Sequence, residues 1–270
     1  MTAAADPRPP LDPDRLTALL SGLGRGIRVE VLEAATSTNA IVAARAREGA
    51  PHGLVVVAEH QTAGRGRLDR SWEAPARSSL TFSALLRPRV PAGEWPWLPL
   101  LAGHALATAL REAEVPAGLK WPNDVLVGDR KIAGILMERV ESQDGPAAVL
   151  GIGLNVSTKT EELPVDTATS VELATGAAPD RTELLATILT RLVDEYDAWQ
   201  ADEERTAALR TAYTEVCVTL GRKVRVELPG GEIRSGTARG IDDGGRLVVD
   251  DFAVGAGDVV HVRGAGRTEE

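Results

Sequence analysis

The chain has 270 residues, 26% of them charged and 43% apolar, with a formal net charge of −9. That charge excludes bulk electrostatic binding to nucleic acid or to an anionic membrane, so any anion site has to be local. A single cysteine, Cys217, excludes an internal disulfide and any zinc site built from cysteine pairs. Its apolar context, EVCVTL, reads as an inert buried thiol rather than a nucleophile. The start, MTAAADPRPPLDPDRL, lacks the positive start and apolar run of a signal peptide. No apolar run approaches the ~20 residues of a membrane span. The expectation is a soluble, cytoplasmic protein.

Residues 1–12 are small, proline-rich and irregular. DPDRLTALLSGL (12–23) predicts a short helix, opened by Asp12 before proline and ended by Gly22 and Gly24. IRVEVLE (27–33) alternates as a strand does. Ser37, Thr38 or Asn39 caps the helix of TSTNAIVAARAREG, and Gly49 stops it. HGLVVVAEHQ (52–61) is a β-branched run and predicts a buried strand, with a loop at its end. SLTFSALLRP (79–88) predicts a second strand and WLPLLAGHALATALREA (97–113) an apolar helix. Residues 118–140 read as two strands around a polar turn at Gly128-Asp129-Arg130, and AAVLGIGLNV (147–156) as another strand. Residues 157–180 read as irregular, 181–200 as a helix, with a second helix through about Tyr213. After Leu220, short alternating runs split by PGG, DDGG and GAG predict a small antiparallel barrel. A barrel of ~45 residues is marginal alone and is expected to pack on the main domain. The fold class is α+β: a mixed or antiparallel sheet with packed helices, without strict βαβα alternation. The expected divisions are an N-terminal segment 1–26, a main domain 27–217, a barrel 218–264 and a tail 265–270.

The segment HQTAGRGRLDRSW (60–72) places Arg65, Arg67 and Arg70 around Gly64 and Gly66 in an acidic chain. There is no GxxxxGK[ST], no GxGxxG, no GxSxG and no HExxH. GIGLN (151–155), with two glycines, is a weak dinucleotide signal. A solvated turn is the plain reading of the arginine segment. Binding of single-stranded nucleic acid would use Trp72 for stacking, but the chain is acidic and only 3% aromatic. A small-molecule anion site suits it better. Glycines let backbone N–H groups approach a ligand, and arginines give paired donors to carboxylate or phosphate. Such a loop could order when its ligand arrives.

Lys120, Asn123 and Asp124 in KWPND, Lys131 in RKIAGIL and Asn155 at the end of VLGIGLNV each have an ordinary reading as turn, cap or solvated flank. Together they are polar clusters attached to apolar strands, which is how a pocket over a sheet is built.

HQTAGRGRLDRSW, KWPNDV, RKIAGILME and VLGIGLNV, in that order and with TSTN upstream, resemble the biotin protein ligases from about Val29 through Asn155. Residues 157–215 resemble that family mainly in helix placement, and the C-terminal runs resemble its SH3-like domain. The resemblance implies a catalytic domain at 27–217 with a class II aminoacyl-tRNA synthetase-like fold, followed by the SH3-like barrel. It implies that biotin's carboxylate attacks the α-phosphate of ATP, with Mg²⁺, giving biotinyl-5′-AMP and pyrophosphate. A lysine of a biotin carboxyl carrier domain then attacks the mixed anhydride. A carboxylate approaching a polyanion needs local cations, and a labile intermediate needs shelter from water.

Position by position, the resemblance implies a biotin site of Ser37, Thr38, Asn39, Gln61, Gly64, Arg65, Gly66, Arg67, Lys131, Gly134, Gly151 and Gly153. The ATP side takes Arg67, Arg70, Trp72, Asn123, Asp124, Lys131 and Asn155. Lys131, Arg67 and Asp124 are the implied catalytic residues: Lys131 spans both substrates as electrostatic catalyst, and Asp124 serves either a metal or the incoming lysine. About 26 residues precede the first strand, too few for the roughly 60-residue winged helix-turn-helix of the repressor members. A short form without operator binding or membrane contact is expected, as a monomer or weak homodimer. Two alternatives stand beside this: a lipoate or octanoate ligase or transferase of the related fold, which would lack GRGRxxRxW, and a non-catalytic biotin-binding sensor.

Overall fold

A computed structural model describes residues 8–23, 26–68, 70–201 and 203–262. The Asp12 carboxylate accepts from the Arg15 N–H and opens α1 (Pro13–Leu20), which tightens into a 3₁₀ turn at Ser21–Leu23. Gly24, the expected stop, lies outside the described residues, as does the tail 265–270. β1 (Arg28–Leu32), α2 (Thr38–Arg47) and β2 (Leu54–Ala58) form a parallel βαβ unit. The chain continues through β3 (Gly64–Arg65), β4 (Ser71–Trp72), β5 (Ser79–Leu86), α3 (Trp97–Glu112), β6 (Ala117–Lys120), β7 (Asp124–Val127), β8 (Arg130–Val140) and β9 (Ala147–Asn155). Then come α4 (Val171–Thr175), α5 (Arg181–Trp199) and α6 (Glu203–Val216). Seven strands make one sheet in the order β1-β2-β5-β9-β8-β7-β6, antiparallel except for β1 and β2.

Period-two alternation decides what each face of this sheet does. On β9, Ala148, Leu150, Ile152 and Leu154 join the large core with α1, α3 and α5. Ala147 and Val149 face the other way and pack with Leu85 against Val42 and Ala46 of α2. The next residues on that second face are Gly151 and Gly153, so beyond the start of α2 this strand offers no side chains of its own. Among the described residues no helix is long and apolar enough to cross a membrane.

Three segments differ from the sequence expectation. Residues 118–140 form three strands, not two, because the run is broken at Trp121-Pro122-Asn123, where the Trp121–Pro122 bond is cis. Proline has no N–H for the ladder, so a strand cannot run through it. Residues 157–180 are not wholly irregular: they hold a 3₁₀ turn at Thr160–Glu162 and α4, capped by the Ser170 hydroxyl and ended by Gly176 at φ +85°. The arginine–glycine segment is not an open loop. β3 and β4 pair in it as a short antiparallel ribbon, Gly64 opposite Trp72 and Arg65 opposite Ser71.

The second sheet holds β10 (Lys223–Glu227), β11 (Ile233–Ile241), β12 (Leu247–Val249), β13 (Phe252–Val254) and β14 (Asp258–His261) in the order β13-β12-β11-β10-β14, all antiparallel. This small SH3-like barrel is fastened to the main domain by indole donors. Trp97 Nε1 donates to Asp243 O at 2.8 Å and Trp121 Nε1 to Gly245 O at 3.0 Å, and both tryptophans are buried. Cys217 is buried beside this junction, and burial pushes its thiol pKa up.

His261 also lies at the junction, with Nε2 3.0 Å from Thr219 Oγ1. Burial, with Arg222 and Lys120 nearby, lowers its pKa to about 4, against the pull of Asp129 and Asp124. The folded value lies below the unfolded one, so the unfolded chain binds the proton first. Stability from neutral His261 is full above pH ~6.5 and is lost as pH falls toward about 4. Urea midpoints measured across that window are expected to fall less steeply for His261→Gln than for the parent chain.

Candidate active site

The pocket begins at the start of α2. Ser37 is the N-cap, its hydroxyl accepting from the Ala40 N–H, which leaves the first-turn side chains of Thr38 and Asn39 free to face the sheet. Gln61 Oε1 accepts from the Thr38 N–H at 2.7 Å and from its hydroxyl at 3.1 Å. Ser83 Oγ bridges the pair, 2.7 Å from Thr38 Oγ1 and 2.6 Å from Asn39 Oδ1. Asn39 Nδ2 donates to Glu138 Oε2 at 2.7 Å and to Leu136 O at 3.3 Å. All these contacts fix the Asn39 amide in one orientation, in a place where an unpaired polar group would be costly.

Glycines make the floor. A Cβ on Gly151 would stand 2.1 Å from Asn39 Oδ1. One on Gly153 would stand 2.4 Å from the Trp72 ring, and one on Gly134 3.1 Å from Lys131 Nζ and 3.4 Å from Trp72. Asn39 cannot retreat, because it is held from three sides. Gly151→Ala is therefore expected to displace the Asn39 amide, which loses hydrogen bonds of about 0.5–1.5 kcal/mol each, and so to lower the urea midpoint; an unchanged midpoint would mean that the amide is free to move.

The ribbon supplies the cations. Arg65 donates to Glu138 Oε2 at 3.0 Å. Arg67 donates to Asn123 Oδ1 at 3.0 Å and to Gly257 O at 3.1 Å, and burial pulls its pKa down. Arg70 pairs with Asp258, which raises its pKa. Across from them, Lys131 Nζ lies 2.5 Å from Asp124 Oδ1, while Lys120 Nζ is 3.6 Å from Asp124 Oδ2. The Lys131 backbone is clamped by its N–H to Thr167 O (2.7 Å) and by its carbonyl to the Thr169 N–H (2.8 Å). The 157–180 segment thus positions it. Trp72 Nε1 is buried with no partner.

Two cavities meet at this point. The first runs from Ser37, Thr38 and Asn39 over the glycine floor; the second is a cleft of about 1250 Å³ reaching Asn155, Arg222 and His261. Arg70, Ser71, Trp72, Asp124 and Lys131 belong to both walls. Of the residues expected from sequence, Ser37, Thr38, Asn39, Gln61, Arg65, Gly66, Arg67, Arg70, Trp72, Asn123, Asp124, Lys131, Gly134, Gly151 and Gly153 gather around the first cavity. Gly64 instead lies within the ribbon, paired with Trp72, where a Cβ would be 2.2 Å from Trp72 O. Asn155 lies in the second cleft only, its Nδ2 donating to Thr169 O at 3.0 Å. Ser83, Glu138 and Asp258 complete the site and were missed. For Ser83 there was a signal, because Ser79, Thr81 and Ser83 alternate along one face of a buried strand. Among the described residues there is no group of three or more His, Cys, Asp or Glu able to hold a metal ion.

Residues 31–155 match the model of the Biotin/lipoate A/B protein ligase family, and residues 219–262 that of the Biotin protein ligase C terminal domain. The chain is 44% identical to the biotin–[acetyl-CoA-carboxylase] ligase of Mycobacterium tuberculosis, over 95% of this chain and 97% of that one. It is 31% identical to the bifunctional ligase/repressor BirA of Escherichia coli, over 85% of this chain and 71% of that one. Among solved structures, the biotin protein ligase from Aquifex aeolicus in complex with biotin and ATP superposes with a TM-score of 0.73 at 28% identity, covering 88% of this chain and 99% of that one. Both domains and the order of the site residues agree in this: the chain belongs to the biotin protein ligase family.

Proposed function

We propose that this chain is an ATP-dependent biotin–protein ligase. The observation that carries the reading is the shared wall: two cavities, one floored by glycine and one cationic and open, meet at Lys131, Asp124, Trp72 and Arg70. In this reading a bicyclic ring lies along the glycine floor beside the Trp72 ring, and Ser37, Thr38, Asn39 and Gln61 offer donors and acceptors suited to a cyclic urea. Its carboxylate then points to the junction, where ATP comes from the second cleft past Asn155, Asn123 and Trp72. There a carboxylate oxygen forms the bond to the α-phosphorus and pyrophosphate leaves. Arg67 and Lys131 face the charge that builds on the phosphate oxygens. In the second step a neutral lysine amine bonds to the acyl carbon, AMP leaves with the anhydride oxygen, and the amine loses a proton.

Among the described residues no resident magnesium site is built, and both Asp124 oxygens face lysines. Magnesium fits as an ion carried by nucleotide phosphates, which needs few protein ligands. Asp124 is read here as the group that aims Lys131. The acceptor is a lysine of a biotin carboxyl carrier domain, and the enzyme works in the cytoplasm as a monomer or weak homodimer.

ATP–pyrophosphate exchange with biotin, lipoate and octanoate in turn tests the reading. Exchange dependent on biotin is expected. Exchange only with lipoate or octanoate would assign the sister chemistry, and biotin binding without exchange would assign a sensor.

A further inference from the structure

Each arginine of the ribbon is held from outside the ribbon. Arg65 is held by Glu138 of β8, whereas Arg67 and Arg70 are held by consecutive residues of the barrel, through the Gly257 carbonyl and the Asp258 carboxylate. That stretch of barrel has a fixed place. Gly257 sits at φ +155°, and a Cβ there would be 2.8 Å from Glu227 O and 3.2 Å from Val226 Cγ1, so β10 excludes any side chain. The barrel in turn is fastened through the buried indoles of Trp97 and Trp121. A rigid line therefore runs from the core of the catalytic domain, through the barrel, to two of the three site arginines.

Charge makes the placement of Asp258 informative. Its carboxylate lines the first cavity, where anions have to bind. A carboxylate there opposes anion binding unless it does something else. It is also a poor stabiliser: Arg70 is 63% exposed, and such pairs contribute about 0–1 kcal/mol. What it does hold is the direction of the Arg70 guanidinium and, with the Gly257 carbonyl, the course of the ribbon.

We propose that Asp258 and the Gly257 carbonyl are positioning groups for the ligase reaction, through which the C-terminal barrel holds the arginine ribbon across the site and keeps the activated acyl intermediate in it. This rests on the ligase reading above. The barrel is then a working part of the active site.

The test compares the full chain with Asp258→Asn and Asp258→Glu. Three readouts are taken: KM for ATP in biotin-dependent exchange, labelling of serum albumin as a bystander by escaped biotinyl-5′-AMP, and hydrogen exchange of the β3 and β4 amides without substrates. Asp258→Asn is expected to raise KM for ATP about fivefold, more than it lowers kcat, to raise albumin labelling severalfold, and to speed amide exchange in the ribbon. Asp258→Glu keeps the carboxylate and is expected to stay within about twofold of the parent. Removal of a mere surface charge predicts the opposite sign, a lower KM for ATP. That result, or an Asp258→Glu defect equal to that of Asp258→Asn, overturns the proposal. So does unaltered ribbon exchange in Asp258→Asn, whatever the catalytic assays read. If the parent chain shows no biotin-dependent exchange while the Asp258→Asn ribbon loosens, the ligase reading falls and the barrel's hold on the ribbon stands.

Discussion

Lys131→Ala is expected to lower kcat for biotin-dependent ATP–pyrophosphate exchange by about 10²–10³-fold, the cost of removing one donor from developing charge, ≈ 2.7–4 kcal/mol. The ammonium stands in the wall common to both cavities. It is steered by Asp124 Oδ1 at 2.5 Å and by a backbone clamped at Thr167 and Thr169. Removing it also leaves Asp124 facing the two anions with only Lys120, at 3.6 Å, to offset it. The loss should therefore fall on the step that forms the acyl phosphate. Transfer from added biotinyl-5′-AMP to a carrier domain should fall less than tenfold. An exchange rate within threefold of the parent would remove Lys131 from the chemistry.

The largest stability effect is expected at a buried ion pair that lines neither cavity. Arg181 Nη1 and Glu59 Oε2 are 2.7 Å apart, with side chains 6% and 2% exposed. The same pair gathers the N-terminal approach to α1: Glu59 Oε1 accepts from the Leu11 N–H, and Arg181 donates to Pro9 O and Ser79 O. Glu59→Gln leaves a buried guanidinium without its counter-charge, which costs about 3–5 kcal/mol. Measured by urea unfolding, that is a large part of the ~5–15 kcal/mol that holds a domain together. Replacing both residues by leucine removes the charges together but is not expected to restore stability, because the Leu11 N–H and the Pro9 and Ser79 carbonyls then lose their partners at ~1–3 kcal/mol each. A Glu59→Gln loss below ~1 kcal/mol would mean that water reaches the pair.

What could be read from sequence was what repeats or caps locally. A cap within Ser37-Thr38-Asn39, the β-branched β2 and the β9 strand are properties of a few neighbouring residues, whereas the floor glycines came from the family resemblance. What could not be read depends on chain ends meeting. The GRGR segment has the composition of a loop, and it becomes a ribbon because Gly64 and Arg65 find Trp72 and Ser71. Glu138 meets Asn39 across 99 residues and Asp258 meets Arg70 across 188. Glu138 closes the motif RKIAGILME without being named as a site residue, and no local pattern marks Asp258. Trp121-Pro122-Asn123 has strand-like neighbours on both sides, which mask the break that the proline's missing N–H makes in the ladder.

The glycine floor bears on how this pocket can change. Gly134, Gly151 and Gly153 are already the smallest residues a chain can carry, and each lies within 3.1 Å of a neighbour once a Cβ is added. Every substitution there subtracts space, and none can add it. A variant accepting a bulkier acid must therefore gain its room from the sides, by trimming Trp72 in the ribbon or Thr38 at the start of α2. Changes of substrate should accumulate in those two walls while the three glycines stay as they are.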